Sequence, residues 1–138
     1  MNAERILIAA ECIGDGKYFI EKSVNYAKTR KVFNREIGMN QGIQFPIAEC
    51  YSQIESASLM VEKAATLFDQ GQKCGAEANM AKMLSSEAAW QAAEMCVQTH
   101  GGFGFAAEYD IEVVLDKQVV YHGGFDLTNI VLERLNQQ

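Results

Sequence analysis

The chain has 138 residues and a net charge of −6, and 49% of its residues are hydrophobic while 22% are charged. This balance supplies enough apolar side chains for one buried core and argues against disorder. The sequence shows no basic cluster, which argues against a nucleic-acid-binding surface. A single proline and abundant alanine favour an all-α fold over a turn-rich β architecture.

Cysteine spacing and the N-terminal sequence indicate a reducing compartment. No C-x-x-C pair is present, so we expect buried reduced thiols rather than a zinc site at Cys12, Cys50, Cys74 and Cys96. The first residues lack the pattern of a secretory signal peptide, and no apolar run is long enough to cross a membrane. These features predict a cytoplasmic protein, or a mitochondrial-matrix protein in a eukaryote.

A first helix is predicted from Ala3 to about Arg30, because apolar and small residues recur at spacings of three and four. Such a helix would be about 42 Å long, which is typical of a bundle. Gly14 and Gly16 would let a neighbouring helix approach closely. The predicted buried stripe consists of Ile6, Ala9, Ile13, Gly16, Ile20, Val24 and Ala27.

A loop is predicted between Lys31 and Asn40, followed by a second helix from Gln41 to about Gln70. Pro46 lies in the first turns of this helix, where its missing N–H costs least. Spacings of four and three alternate along the helix and form a heptad-like seam for packing at a shallow angle. The seam consists of Ile43, Ile47, Cys50, Ile54, Ala57, Val61, Ala64 and Phe68.

A third helix is predicted from about Ala76 to Thr99, and Gly101 and Gly102 end it. Its buried stripe is predicted to hold Ala81, Leu84, Ala88, Ala92 and Met95, widened by Met80, Met83 and Trp90. A fourth helical segment is predicted to begin near Tyr109 and to be interrupted at His122-Gly123-Gly124. The predicted fold is therefore one domain over residues 1–138, an antiparallel, up-and-down bundle of four long helices.

Several stretches together resemble the C-terminal helical domain of the acyl-CoA dehydrogenase family. Their order and spacing carry the resemblance, which covers nearly the whole chain and weakens after Glu112. The stretches are Glu4-Arg5-Ile6-Leu7-Ile8-Ala9-Ala10, Tyr26-Ala27-Lys28-Thr29-Arg30-Lys31-Val32-Phe33, Asn40-Gln41-Gly42-Ile43-Gln44-Phe45, and Gln98-Thr99-His100-Gly101-Gly102-Phe103-Gly104-Phe105 with the following Glu108-Tyr109-Asp110-Ile111-Glu112.

The resemblance implies a role within a larger flavoenzyme. Family members add an N-terminal helical domain and a middle β domain, bind FAD between the domains, and assemble through the C-terminal bundle. They desaturate acyl-CoA thioesters and pass electrons to an electron-transfer flavoprotein. This chain is similar to about the last third of such an enzyme, so we expect it to be inactive and colourless alone and to form a homodimer or homotetramer. The rival interpretation is a non-catalytic assembly module that pairs with itself or with a subunit carrying the missing domains.

The resemblance also implies which residues contact the flavin. Arg30 matches an arginine that binds the flavin pyrophosphate, with a solvated helix-end arginine as the alternative. Phe33 and Gln41 match positions lining the same cofactor, although each is equally well explained as a local loop or helix-start residue. The glycine-rich segment matches a flavin contact made from a partner subunit, with an ordinary helix-ending turn as the alternative; it contributes Gln98, Thr99, His100, Gly101 and Gly102. His100 is taken as a contact, not as a catalyst.

The position of the catalytic base stays open between two residues, and a third possibility is that the last region has diverged and the chain is inactive. Many family members carry a glutamate near the start of the last helix, where this chain has His122 in a gapped match and Phe125 in an ungapped one. Other branches carry the base on the first helix, and Glu4 matches that position. We therefore rank Glu4 above His122, with a first-turn glutamate favoured by the helix dipole as the structural alternative. Arg5 matches a position near the acyl-CoA, with a plain surface arginine as the alternative.

Overall fold

The computed structural model describes residues 1–109 and 111, and this part of the chain is mostly helical with one short hairpin. Its long helices are α1 (Asn2–Thr29), α2 (Gln41–Asp69) and α3 (Gly75–His100). Strands β1 (Lys31–Val32) and β2 (Arg35–Glu36) form the hairpin, and 3-10 turns follow at Ile37–Met39, Gly101–Phe105 and Ala107–Tyr109. The predicted all-α class is confirmed, and the ends of all three helices agree with the sequence to within one residue.

The predicted fourth helix lies outside the described residues, because it falls within 110 and 112–138. The bundle of four helices and the interruption at His122-Gly123-Gly124 therefore stay predictions. Among the described helices, none combines the length and the apolar composition that a membrane span requires.

Helices α1 and α3 lie side by side and run in the same direction. At one end, Asn2 Nδ2 lies 3.7 Å from Cys74 Sγ, next to the start of α3. At the other end, the Tyr26 ring stacks on the His100 ring with centroids 4.1 Å apart. The C-terminal ends of both helices therefore meet at one end of the bundle.

Helix α2 runs in the opposite direction and packs closely against α1. Its second half lies beside the first turn of α3, since Lys63 Nζ is 3.8 Å from Glu77 Oε1. A Cβ atom added at Gly16 would collide with the Ile54 side chain, so the glycine is what permits this approach. Gly14 has no such neighbour, so the predicted close approach is correct for Gly16 and wrong for Gly14.

The core lies along the contact of the three helices and is rich in alanine on α3. The predicted stripes of α1 and α2 are buried or half-buried except at Phe68, which is exposed. On α3 the prediction is wrong for three residues, because Met80, Met83 and Leu84 are exposed. The face of α3 that meets its neighbours carries small side chains instead, namely Ala78, Ala81, Ser85, Ala88, Ala89, Ala92 and Ala93. Small residues let helix axes come close, which fits the tight contact at Gly16.

The four cysteines are free and buried, as their spacing predicts. Burial raises the pKa of the Cys50 and Cys96 thiols above the ordinary value of a cysteine. Thiols held protonated in an apolar environment are poor nucleophiles, so these two cysteines contribute packing rather than chemistry.

Candidate functional site

A cleft of about 550 Å³ opens where the ends of α1 and α3 meet the loop after the hairpin. Its size falls within the range of small-molecule sites. Of the eight residues predicted to contact the cofactor, six line this cleft: Arg30, Gln98, Thr99, His100, Gly101 and Gly102. The structure thus brings together two motifs that are about 70 residues apart in the sequence.

The glycine turn, defined as Gly101–Phe105, gives the cleft a floor of exposed backbone. Gly101 ends α3 with φ +60° and ψ −134°, a conformation that favours glycine. A Cβ atom at Gly101 or Gly102 would meet nothing within 4 Å, so their backbone faces open space. Gly104 is packed instead, since a Cβ there would lie 2.9 Å from the Val97 carbonyl oxygen. The turn is therefore anchored on one side and accessible to a ligand on the other.

His100 is buried under the cleft and is held as a neutral ring. Its Nδ1–H donates to the Cys96 carbonyl oxygen at 2.8 Å, which leaves Nε2 as the acceptor. Burial lowers the pKa of the imidazole, with a smaller opposing effect from the hydrogen bond to Cys96. A neutral, stacked imidazole fixed in this way suits a structural contact, because its position is set by its neighbours.

An aromatic cluster of Tyr26, His100, Phe103 and Tyr109 supports the cleft. Tyr109 meets Tyr26 and His100 edge-on, with centroid distances of 5.9 Å and 5.8 Å. Phe103 packs against Tyr109 at 5.4 Å. Pairs at these separations stabilise a fold beyond their buried area. The sequence alone predicted no role for Tyr26, Phe103 or Tyr109, although all three lie in the stretches that carry the resemblance.

Arg30 extends from the C-terminal end of α1 into the cleft, and its backbone is held from both sides. Its N–H donates to the Tyr26 carbonyl oxygen at 2.8 Å, and its carbonyl accepts from the Ile37 N–H at 2.9 Å. The guanidinium carbon lies 5.3 Å from the centre of the Phe103 ring. An arginine cation beside exposed glycine backbone is a combination that can bind an anion such as a phosphate.

Phe33 and Gln41 do not line the cleft. Phe33 lies at the tip of the hairpin, is 95% exposed, and has φ +53°, while the adjacent Asn34 has φ +64°. Two positive φ values match a type I′ turn, which usually carries Asn and Gly. Gln41 is the first residue of α2 and is also exposed. Both residues are presented outward, away from the core of this chain.

Glu4 and Arg5 lie at the opposite end of α1. The Glu4 side chain is 75% exposed, and Arg5 Nη1 donates to Asn2 Oδ1 at 3.3 Å. Glu4 and Arg30 are 26 residues apart, so α1 separates them by about 39 Å. His122 lies outside the described residues. Within the described range, no group of three His, Cys, Asp or Glu side chains is arranged to hold a metal ion.

A family model for the C-terminal domain of acyl-CoA dehydrogenases matches residues 1–122. An acyl-CoA dehydrogenase of Mycobacterium tuberculosis is 43% identical over 117 residues, which make up 83% of this chain and 30% of that protein. An acyl-CoA dehydrogenase of Bacillus subtilis is 39% identical over 137 residues, covering 97% of this chain and 36% of the relative.

Solved structures share the fold of the described residues. The structure of PigA with FAD and proline matches with a TM-score of 0.78 at 30% identity, over 81% of this chain and 29% of the PigA chain. The chain spans about a third of the length of the curated relatives it matches.

Proposed function

Because the chain belongs to the acyl-CoA dehydrogenase family and corresponds to its C-terminal domain, we propose that it forms one wall of the flavin site in a complete enzyme. That enzyme would remove the α-proton of an acyl-CoA thioester, and its FAD would accept the hydride. The observation that carries the proposal is the cleft in which Arg30 meets the exposed backbone of the glycine turn.

The residues of the cleft fit a flavin pyrophosphate. The Arg30 guanidinium offers paired N–H donors that match two phosphate oxygens. No carboxylate among the described residues lies within ion-pair distance of Arg30, so its charge is available to an anion. Gly101 and Gly102 have no side chain to keep a ligand away from the backbone. In this role, Arg30 binds and orients the diphosphate, and Gln98 and Thr99 line the same surface.

The exposure of Phe33 argues for a site shared between subunits. An aromatic ring that is almost fully exposed, on backbone with positive φ, has little to gain within its own chain. We propose that the exposed Phe33 and Gln41 contact the cofactor or protein of a neighbouring subunit. Such an arrangement requires a homodimer or homotetramer, with an electron-transfer flavoprotein as the external partner of the whole enzyme.

The length of α1 supports two separate sites for each chain. Glu4 and Arg30 lie about 39 Å apart along α1, which leaves room for the two side chains to contact different flavins. We propose that Glu4 is the base in the site of its own subunit, close to Arg5 and the thioester, while Arg30 reaches a neighbour's cofactor. His122 is the second candidate for the base.

Arg30→Gln in the complete enzyme tests whether Arg30 binds the flavin. Lys28→Gln, a change in the same helical turn, is the control. Arg30→Gln removes a charge-assisted contact, so FAD affinity should fall about tenfold or more, measured by the fluorescence of released flavin. Lys28→Gln should leave FAD affinity unchanged. Equal FAD affinity in Arg30→Gln and the unmodified enzyme would contradict the proposal.

A further inference from the structure

The guanidinium of Arg30 has one close aromatic neighbour that none of the predicted cofactor contacts includes. Phe103 follows Gly101 and Gly102 in the glycine turn, and its ring centre lies 5.3 Å from Arg30 Cζ. This separation is within the range of a cation–π interaction. The arginine is thus supported by a ring from another element, 73 residues further along the sequence.

The position of Phe103 is fixed by its own backbone. Its carbonyl oxygen accepts from the Ala106 N–H at 3.1 Å, which closes the glycine turn. The following residue, Gly104, packs directly against Val97 on α3, where a Cβ atom would not fit. The turn therefore cannot move away from α3 without losing these contacts.

The ring of Phe103 is also anchored to both long helices through the aromatic cluster. Tyr109 packs on Phe103 and contacts Tyr26 on α1 as well as His100 on α3. His100 is in turn fixed by its hydrogen bond to the Cys96 carbonyl. A continuous set of contacts leads from the two helices to the ring that lies beside Arg30.

We propose that Phe103 is a positioning residue that holds the Arg30 guanidinium in the cleft before a ligand binds. The inference rests on the proposed function, because it assumes that Arg30 recognises the diphosphate of a nucleotide cofactor. An arginine side chain loses rotamer freedom on ordering, and a ring that already orders it reduces that loss at binding. The N–H donors of a guanidinium lie in its plane, so a ring held against its face leaves them available to phosphate oxygens.

The first test needs no ligand and uses the full 138-residue chain. The Nε–H resonance of Arg30 is expected to be shifted by the Phe103 ring current, and Phe103→Leu should return it to the position of a solvated arginine. Phe103→Tyr keeps a ring and should keep the shift. Phe105→Leu is the matched control, since Phe105 belongs to the same turn and is 69% exposed. An Arg30 resonance that is the same in Phe103→Leu and the unmodified chain would overturn the inference.

The second test asks whether Phe103 acts through Arg30. In the complete enzyme freed of flavin, Phe103→Leu is expected to weaken ADP binding by about threefold to fivefold, the range of a partly exposed cation–π contact. In an Arg30→Gln background the same change should have no further effect. Equal losses in both backgrounds would show that Phe103 acts in another way. Adenosine, which lacks phosphate, should bind all variants alike. If ADP binds no variant, the proposed flavin site is contradicted, and the Arg30 resonance still decides whether Phe103 positions the guanidinium.

Discussion

Asp15 is a carboxylate that lies partly buried on α1, one turn after Cys12. Its Oδ2 atom is buried and has no hydrogen-bond partner among the described residues. Burial, with a smaller contribution from Glu11, raises the pKa of Asp15 to about 7. Burial, followed by the charge of Asp15, raises the pKa of the Cys12 thiol to about 11. A carboxylate in this setting is more easily accommodated in its protonated form.

This shift predicts that Asp15 lowers the stability of the chain as the pH rises. Between its ordinary pKa of 3.8 and the folded value of about 7, the folded state keeps a proton that the unfolded state has lost. Stability contributed by the protonated form is therefore present at acidic pH and is lost by pH 8. Asp15→Asn should raise the free energy of unfolding by about 1–2 kcal/mol at pH 8 and change it little at pH 4.

Urea unfolding of both proteins between pH 4 and pH 8 measures this difference. Lys82 and Glu11 are the charged groups near the Asp15–Cys12 pair and are unchanged in the variant. Asp69→Asn, at the exposed end of α2, is the control and should leave the pH dependence as it is. A difference between Asp15→Asn and the unmodified chain that does not grow with pH would refute the assignment.

Among the elements, the hairpin between α1 and α2 has a backbone conformation that one of its turn residues disfavours. Its two turn residues are Phe33 and Asn34, both with positive φ. Asn tolerates this backbone conformation, whereas Phe is strained in it. The strand pairs are short, with Lys31 opposite Glu36 and Val32 opposite Arg35. Strain at an exposed aromatic residue is the pattern expected where a side chain serves a partner rather than its own fold.

Phe33→Asn is therefore expected to stabilise the isolated chain by about 0.5–1 kcal/mol, because it relieves strain without removing a buried side chain. Thermal or urea unfolding provides the measurement. Phe33→Leu removes the ring but keeps the strain, so it should bring no gain. In the complete enzyme the Phe33→Asn variant should hold FAD more weakly. A loss of stability in the isolated chain would mean that the ring contributes to this fold after all.

At the scale of the whole molecule, the parallel arrangement of α1 and α3 places the two candidate functions at opposite ends. The cleft with Arg30 lies at the C-terminal ends of both helices, while Glu4 lies at the N-terminal end of α1. Proton abstraction and cofactor binding by these residues should consequently respond to mutation independently.

Glu4→Gln in the complete enzyme tests that independence. The variant should lose the reduction of flavin by acyl-CoA, since an amide cannot accept the α-proton, with a fall of about 10²-fold or more. Its FAD content should stay unchanged, because the cleft lies about 39 Å away. Stopped-flow absorbance of the flavin follows the reaction, with Glu21→Gln on the same helix as the control. Near-normal reduction would remove Glu4 as the base and favour His122.

Sequence pattern was enough to predict the three long helices of the described residues. Spacings of three and four residues predicted the ends of α1, α2 and α3 to within one residue, and Gly101 marked the end of α3, because helix formation and termination are local. The motif around Tyr26 and Arg30, and the one from Gln98 to Gly102, carried the family resemblance, which the comparisons confirm.

Which faces are buried and which side chains meet depends on how the helices pack against one another. Met83 and Leu84 fit a buried stripe by spacing, yet both are exposed, because the partner helices approach the alanine side of α3. The pairing of Arg30 with Phe103 joins positions 73 residues apart, and periodicity within one element carries no information about such a contact. The partly buried carboxylate of Asp15 is hidden in the same way, since its burial depends on how α1 packs in the bundle. Local sequence sets the helices, and their mutual packing sets the site.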